Sequence, residues 1–224
     1  MVNYGARHQF LRQLHELLRP ATYLEIGVQR GYSLAQAIPP TVAVGVDPDP
    51  QIVAPIAVEH SIIPMTSDAY FGLNIKQRGP FDLAFIDGMH LVEYALRDFM
   101  GVERHARPDG RTVAVFDDVL PYSAAIAGRE PLPGDWTGDV WKIDRILDTY
   151  RFLDLTRILV DVDPTGVLVV FGLDPADDTL TGVYDEAVID WARDMDPPTR
   201  YISREYAVQP DQAIDLIRTH LENL

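Results

Sequence analysis

The stretch that most constrains this chain is TYLEIGVQRGYS at residues 22–33. The apolar run Tyr23–Ile26 predicts a short buried strand. Gly27 and Gly31 follow at once, and glycine permits the backbone conformations of a tight turn. In proteins that alternate strands and helices, a strand-to-helix turn of this kind lies where a nucleotide-like ligand binds. The stretch therefore predicts both a fold class and a ligand site.

The alternation of strand and helix continues along the chain. Apolar runs predict four further strands at Val42–Val46, Ser61–Met65, Phe81–Ile86 and Thr112–Phe116. Helices are predicted at Ala6–Leu18, Ser33–Ile38, Ile52–Val58, His90–Arg104 and Val140–Tyr150, with Phe71–Ile75 either a loop or a helix. Leu155–Val162 and Val167–Phe171 predict a β-hairpin, which adds an antiparallel pair to the sheet. This order predicts an open α/β sheet covered by helices on both faces.

The length suits a single domain spanning residues 1–224. With 47% hydrophobic residues, the chain can bury a substantial core. We expect an N-terminal helix within residues 1–20, a lid at residues 119–139, and a C-terminal helical extension over residues 181–224 with amphipathic helices at Tyr184–Asp194 and Pro210–Leu224. Long loops in compact domains usually cover binding sites, which supports the lid. The terminal helices also offer surfaces for a homodimer.

The composition excludes several kinds of chemistry and of partner. The chain has no cysteine, so it has no disulfide, zinc–thiolate site or thiol nucleophile. No segment approaches the roughly 18 uninterrupted apolar residues of a membrane span, so we expect a soluble cytoplasmic protein that does not bind membranes. The formal net charge is −15, and 22 acidic residues against 9 basic ones follow Arg111. Such a field repels phosphates, so a nucleic-acid partner is not expected.

The spacing of the glycines distinguishes between the classes of nucleotide-like ligand that the turn could bind. A dinucleotide fingerprint needs Gly-x-Gly-x-x-Gly, and here Gln29 stands in the place of the middle glycine. A nicotinamide cofactor is therefore disfavoured. Asp47, which ends the second strand, can accept both hydrogen bonds of a ribose diol, and Glu25 can support the turn and meet a cationic end of the ligand. Taken singly, the glycines could merely permit a turn and Asp47 could cap a helix.

Together these features resemble the class I S-adenosylmethionine-dependent methyltransferases over residues 11–171. The resemblance rests on the glycine turn, the ribose acid, the Ser67-Asp68 pair after the third strand and the strand-end Asp87, which occur in the family's order. It implies a Rossmann-like, doubly wound, mostly parallel seven-stranded sheet with an antiparallel edge hairpin. It also implies that S-adenosylmethionine is held by Glu25, Gly27, Gly31, Ser33, Asp47, Ser67, Asp68 and Asp87.

Acidic residues also end the fourth and fifth predicted strands. The family's strand order makes these strands neighbours, so Asp87, Asp117 and Asp118 would converge, and oxygen ligands favour a hard cation such as Mg²⁺. The pattern resembles the metal-dependent O-methyltransferases of the catechol and the sugar or macrolide types, whose catalytic base lies three residues after the first Asp. That position is His90, and histidine suits proton transfer near neutral pH. The resemblance implies O-methylation of a small-molecule hydroxyl.

Other interpretations stay open. A metal-independent methyltransferase would use His90 alone as base, and a non-catalytic protein would keep the fold and bind S-adenosylmethionine without turnover. Asp117 and Asp118 could also cap the next segment. In and beside the expected lid, Trp136 could stack on a sugar or aromatic acceptor, and Lys142 could meet an acidic acceptor or pair with a neighbouring Asp.

Overall fold

A computed structural model describes residues 5–73 and 79–223. The strands of the described residues are β1 (Thr22–Ile26), β2 (Val42–Asp47), β3 (Glu59–Pro64), β4 (Leu83–Ile86), β5 (Val113–Phe116), β6 (Thr156–Val160) and β7 (Val167–Phe171). They form one sheet in the order β3-β2-β1-β4-β5-β7-β6. Strands β1 to β5 run parallel, and β7 pairs antiparallel with both β5 and β6. The predicted Rossmann-like sheet with an antiparallel edge hairpin is confirmed.

The described helices are α1 (Ala6–Leu18), α2 (Ser67–Gly72), α3 (Val92–Arg104), α4 (Lys142–Tyr150), α5 (Thr179–Trp191), α6 (Thr199–Ile202) and α7 (Pro210–Glu222). Helix α1 has the predicted bounds. The helix predicted at Ile52–Val58 is wrong, because Pro55 lacks the N–H that a helix interior needs and this segment contains no regular structure. The helix predicted at Ser33–Ile38 is reduced to a 3₁₀ turn at Leu34–Gln36. Of the predicted segment Phe71–Ile75, the last two residues lie outside the described part of the chain.

Helices cover both faces of the sheet. Neighbouring residues of a strand point to opposite faces, and in β1 Leu24 packs in a buried cluster with Phe99 of α3, whereas Tyr23 packs in a second cluster with Leu14 of α1 and Ile217 of α7. Burial on both faces explains why β4 and β5 are apolar at every position. No helix in the described ranges is both long enough and apolar enough to cross a membrane.

The strand register gathers the ends of β1, β2, β4 and β5 at one edge of the sheet. Ile26 is aligned with Val46 and Ile86, and Ile86 is aligned with Phe116. The residues that come next are therefore level with one another: Gly27, Asp47, Asp87 and Asp117. The ladder continues across them, since the Asp87 N–H donates to the Ile26 carbonyl at 2.8 Å and the Asp117 N–H donates to the Ile86 carbonyl at 3.0 Å. Register alone thus brings the acidic strand ends together.

Candidate active site

A cavity of about 570 Å³ opens at this edge of the sheet. Its walls come from the glycine turn, the ends of β2 and β4, the start of α2, the loop before α3 and the first turn of α1. The predicted site residues that line it are Gly27, Asp47, Ser67, Asp68, Asp87, His90 and Asp118. The predicted residues outside its lining are Glu25, Gly31, Ser33, Asp117, Trp136 and Lys142. Its volume is typical of a site for a small molecule.

The turn after β1 brings its backbone close to the end of β4. Gly27 has φ +84°, and a Cβ added there would lie 1.8 Å from the Asp87 carbonyl oxygen, so no other residue fits. Gln29 has φ 44° although it is not glycine. It thereby adopts the left-handed conformation that a glycine would favour at this place. Gly31 and Ser33 follow behind the cavity wall, where Gly31 has φ +78° and Ser33 is buried.

Asp47 ties the end of β2 to this turn. Its Oδ2 accepts a hydrogen bond from the Gln29 N–H at 2.7 Å, and its Oδ1 accepts one from the Asp49 N–H at 2.7 Å. Each oxygen of an ionised carboxylate has capacity for a further donor. Asp47 therefore fixes the turn and can still accept hydrogen bonds from a ligand in the cavity that it lines.

Glu25 lies away from the cavity, contrary to the expectation that it meets a cationic end of a ligand. It shares the α1 face of the sheet with Tyr23 because the two residues are two apart on one strand. It is fully buried, and the Tyr23 hydroxyl donates to its Oε2 at 2.7 Å. Burial raises the pKa of Glu25 to about 8, although the Tyr23 hydrogen bond acts in the opposite direction. The side chain therefore supports the turn from beneath as a largely neutral group at pH 7.

The Ser67-Asp68 pair begins α2 at the far wall of the cavity. Asp68 forms a two-point ion pair with Arg97 at 2.8 and 2.9 Å. Ser67 is hydrogen-bonded to Asp98, a residue of α3. Burial raises the pKa of Asp98 to about 7, although the bond from Ser67 lowers it. Asp98 thus holds the Ser67 hydroxyl from behind.

Asp87, His90 and Asp118 form a group in which one ligand atom from each residue lies within 4.8 Å of the others. His90 Nε2 is 3.4 Å from Asp87 Oδ1 and 3.3 Å from Asp118 Oδ2. Asp118 is held there by Thr165, whose hydroxyl donates to Asp118 Oδ1 at 2.5 Å. Two carboxylates and an imidazole nitrogen are a donor set that can hold a divalent cation.

The charged side chains of this group shift one another's pKa values. Burial alone would lower the pKa of His90, but the hydrogen bond to Asp87 and the charges of Asp118 and Asp87 outweigh it and raise the pKa to about 9. Burial and the Asp87 charge raise the pKa of Asp118. Without a cation, the imidazole and the two carboxylates are therefore stabilised by a shared positive charge on His90.

Asp117 does not join this group, which corrects the expectation of three converging carboxylates. Its side chain is almost fully buried, and its Oδ2 accepts a hydrogen bond from Arg7 Nη1 of α1. The backbone leaves the strand after Phe116, and Asp118 has φ 61°; Asp117 faces α1 while Asp118 faces His90. Arg7 Nη1 also lies 3.8 Å from Asp87 Oδ2.

The segment expected to be a lid holds His90 in place. His90 Nδ1 is 2.7 Å from the Trp136 carbonyl oxygen, and because a carbonyl only accepts, Nδ1 carries the proton. The His90 ring also stacks on the Trp136 ring, with centroids 5.5 Å apart. Gly138 has φ +54°, and a Cβ there would lie 1.7 Å from the His90 carbonyl oxygen. The Trp136 ring therefore covers His90, and its indole N–H is bound to the Gly128 carbonyl.

Lys142 is buried beneath the segment and cannot reach an acceptor in the cavity. Its Nζ is bound to Asp139 Oδ2 at 2.7 Å and to the Arg193 carbonyl at 2.5 Å. The alternative prediction, a pair with a neighbouring Asp, is the one observed. Arg129 also donates to Asp139 Oδ2 at 2.6 Å. The buried carboxylate of Asp139 is therefore paired with two positively charged side chains, Lys142 and Arg129.

Residues 24–119 match a family model described as a methyltransferase domain. Among solved structures, the chain is similar to the O-methyltransferase TomG of Streptomyces achromogenes, involved in tomaymycin synthesis and in complex with S-adenosylmethionine (21% identity, TM-score 0.53, 75% of this chain and 79% of that chain). It is also similar to an O-methyltransferase of Bacillus cereus in complex with S-adenosylhomocysteine (16%, 0.53, 76% and 82%). A third is MycE of the mycinamycin biosynthetic pathway, with Mg and S-adenosylhomocysteine (18%, 0.50, 75% and 50%). A search of curated protein sequences found no match.

Residues 24–119 thus resemble a methyltransferase domain, within a fold that is similar to those of solved O-methyltransferase structures. The matched region runs from β1 to the residues after β5 and so contains the glycine turn and the acidic ends of β4 and β5. These are the elements on which the sequence resemblance rests.

Sequence reasoning missed several residues of the candidate site. Arg7 is separated from Asp117 by 110 positions, and no local pattern links them. Asp98 lies on the buried side of α3, and an acidic residue among apolar ones is the sequence pattern that could have marked it as a site residue. Thr165, in the turn between β6 and β7, carried no signal that connects it with Asp118.

For the turn after β1, we expect Glu25→Gln to change how stability depends on pH. In the folded state the pKa of Glu25 is raised from 4.5 to about 8, so the folded state binds more protons than the unfolded state between these values. Wild-type stability therefore falls as pH rises through this range. Glu25→Gln should be more stable than wild type by at least about 2 kcal/mol at pH 8.5, since one unit of pKa corresponds to about 1.4 kcal/mol, and the difference should shrink towards pH 5.

Urea unfolding at both pH values measures this difference. Glu59→Gln, at an exposed acid of β3, is the matched control and should show no such trend. A constant difference between Glu25→Gln and wild type from pH 5 to 8.5 would refute a neutral Glu25.

Proposed function

We propose that this protein transfers the methyl group of S-adenosylmethionine to a hydroxyl oxygen of a small molecule, with a divalent cation at Asp87 and Asp118 and with His90 as the base. The observation that carries the proposal is the convergence of Asp87, His90 and Asp118 beside the cavity. Two similar structures described as O-methyltransferases, and one described as a methyltransferase with Mg, give further support.

The cavity fits an adenosyl ligand. The turn at Gly27 presents backbone without a Cβ, and Asp47 keeps acceptor capacity for the two ribose hydroxyls. Ser67 and Asp68 line the far wall, where we assign the adenine. Gly31, Ser33 and the buried Glu25 would act indirectly, by shaping the turn that binds the ligand.

The donor set fits a hard divalent cation. Asp87 and Asp118 each offer carboxylate oxygen, which Mg²⁺ prefers, and a Mg²⁺ ion with few protein ligands keeps waters that a substrate can replace. A bound cation would stabilise the acceptor as an oxyanion and orient it.

A cation bound by Asp87 and Asp118 would lower the pKa of His90 and leave its imidazole neutral, so that His90 could accept the proton of the acceptor hydroxyl. Because its Nδ1–H is bound to the Trp136 carbonyl, Nε2 is the atom that receives the proton. The hydroxyl oxygen then forms a bond to the methyl carbon while the carbon–sulfur bond breaks, and S-adenosylhomocysteine leaves. The stack on Trp136 holds the imidazole plane, so orientation supplies much of the rate enhancement.

A metal-independent methyltransferase is the second candidate, and the Arg7–Asp117 pair favours it, since Arg7 already places a positive charge beside the carboxylates. In that case the acceptor would meet His90 directly, and because the pKa of His90 is raised to about 9, the histidine would act as a base only at alkaline pH. Chelation distinguishes the two candidates, and binding of S-adenosylhomocysteine without turnover would instead favour the non-catalytic protein.

We expect Asp47→Asn to weaken binding of S-adenosylhomocysteine by roughly tenfold, because charge-assisted hydrogen bonds contribute about 1.5–3 kcal/mol. The loss should be much smaller for the 2′,3′-dideoxy analogue, which has no ribose diol to bind. Calorimetry with both ligands measures this. Asp49→Asn, two residues further on and outside the cavity lining, is the control. Equal losses for the two ligands would show that Asp47 only supports the turn.

We expect chelator treatment in metal-free buffer to abolish methyl transfer and Mg²⁺ to restore it. The assay follows labelled methyl from S-adenosylmethionine onto a panel of catechol, sugar and macrolide acceptors. Asp118→Asn should need more Mg²⁺ for half-maximal activity, because it removes one charged ligand. S-adenosylhomocysteine binding should survive chelation and serves as the folding control. Undiminished turnover after chelation would support the metal-independent candidate.

We expect His90→Gln to lower methyl transfer by roughly 100-fold or more, the scale of general-base catalysis, without weakening the affinity for Mn²⁺. The reason is that the proposal assigns the proton to Nε2 and the cation to the two carboxylates. Activity and Mn²⁺ titration are measured on the same samples, with His60→Gln at an exposed position of β3 as control. If Mn²⁺ affinity collapses along with activity, His90 is a ligand and not the base.

A further inference from the structure

Asp117 is a buried carboxylate at the candidate site that the proposed reaction does not use. It ends β5 next to Asp118, and its side chain is only 1% exposed. Its Oδ2 is bound by Arg7 Nη1, whereas its Oδ1 has no hydrogen-bond partner within the described ranges. A buried carboxylate in such a place is costly unless a cation compensates it.

Arg7 supplies that cation from the first turn of α1. Its Nη1 faces Asp117 and lies 3.8 Å from Asp87 Oδ2, and Arg7 lines the cavity. Burial would lower the pKa of Arg7, but the charges of Asp117, Asp87 and Asp118 outweigh it and raise the pKa. Guanidinium keeps its charge at any physiological pH, so Arg7 is a permanent positive charge beside the carboxylates.

We propose that Arg7 is a positioning residue that holds Asp117 out of the ligand set of the cation and weakens the affinity of the site for metal. The inference rests on the proposed cation at Asp87 and Asp118. Its physical basis is that Arg7 Nη1 binds Asp117 Oδ2 on the α1 side, whereas Asp118 faces His90, and that the charge of Arg7 repels a second cation a few ångströms away.

This arrangement has a consequence for the acceptor. A cation held by two carboxylates keeps more exchangeable positions than one held by three. It can therefore accept two oxygens from one acceptor molecule, which favours acceptors with neighbouring hydroxyl or carbonyl groups.

The test is titration of chelator-treated protein with Mn²⁺ alone, followed by Mn²⁺ electron paramagnetic resonance. Arg7→Gln should bind Mn²⁺ roughly tenfold or more tightly, the scale expected when a nearby unit charge is removed from a partly screened site. Arg7→Lys keeps the charge and should stay near wild type. Arg7→Gln/Asp117→Asn should lose the gain, and it also avoids leaving a buried carboxylate unpaired if Arg7→Gln is unstable. Arg12→Gln, on the same helix and paired with Glu16, is the matched control.

Unchanged or weaker Mn²⁺ binding by Arg7→Gln, in a sample whose melting curve shows it to be folded, would overturn the inference. So would a gain that persists in the double variant, because Asp117 would then not be the ligand released. Asp87→Asn separates this result from the proposed function. If wild type binds no Mn²⁺ at a site sensitive to Asp87→Asn, the proposed metal site fails. The role of Arg7 still stands in that case if Arg7→Gln gains Mn²⁺ binding that Asp117→Asn removes, and it fails if Arg7→Gln gains none.

Discussion

The close contact between the backbone of Gly27 and the carbonyl of Asp87 is the constraint on which the site depends. A Cβ at residue 27 would lie 1.8 Å from that oxygen, so the turn after β1 and the end of β4 can approach only because the side chain is absent. The parallel register of β1 and β4 then sets the height of both segments. One backbone contact thus joins the glycine turn, which we propose binds the cofactor, to the segment that carries Asp87 and His90.

The second constraint is charge. The chain carries a net charge of −15, and several of its acids are buried, where an unpaired charge is costly. The cost of burial is offset in a different way for each of three acids near the site. Asp117 pairs with Arg7, Asp118 accepts from Thr165 and faces His90, and Glu25 is largely protonated against Tyr23. The acids that remain available to a ligand are those whose partners leave acceptor capacity, namely Asp47, Asp87 and Asp118.

Much of this molecule could be predicted from periodicity and strand ends. The strands could be predicted from apolar runs that end in Gly or Asp, and their order could be predicted from the family resemblance. The acidic edge follows because a parallel sheet brings the carboxyl ends of its strands to one edge. Pairings between distant segments could not be predicted. Nothing local in α1 marks Arg7 as the partner of Asp117, and the burial of Lys142 depends on Asp139 and on the carbonyl of Arg193. The helix predicted at Ile52–Val58 fails for a local reason that was visible, since Pro55 is incompatible with a helix interior.

The segment after β5 is bound to the site too closely to act only as a cover. The Trp136 carbonyl selects the tautomer of His90, the Asp139 N–H donates to the His90 carbonyl at 3.1 Å, and Asp139 Oδ1 accepts from the Val92 N–H at the start of α3. Gly138 allows this approach because a side chain there would overlap His90. The orientation of His90 is therefore fixed by residues 136–139. Changes in this loop that preserve every cavity residue would still alter the orientation of the proposed base, so the loop belongs to the framework of the candidate site.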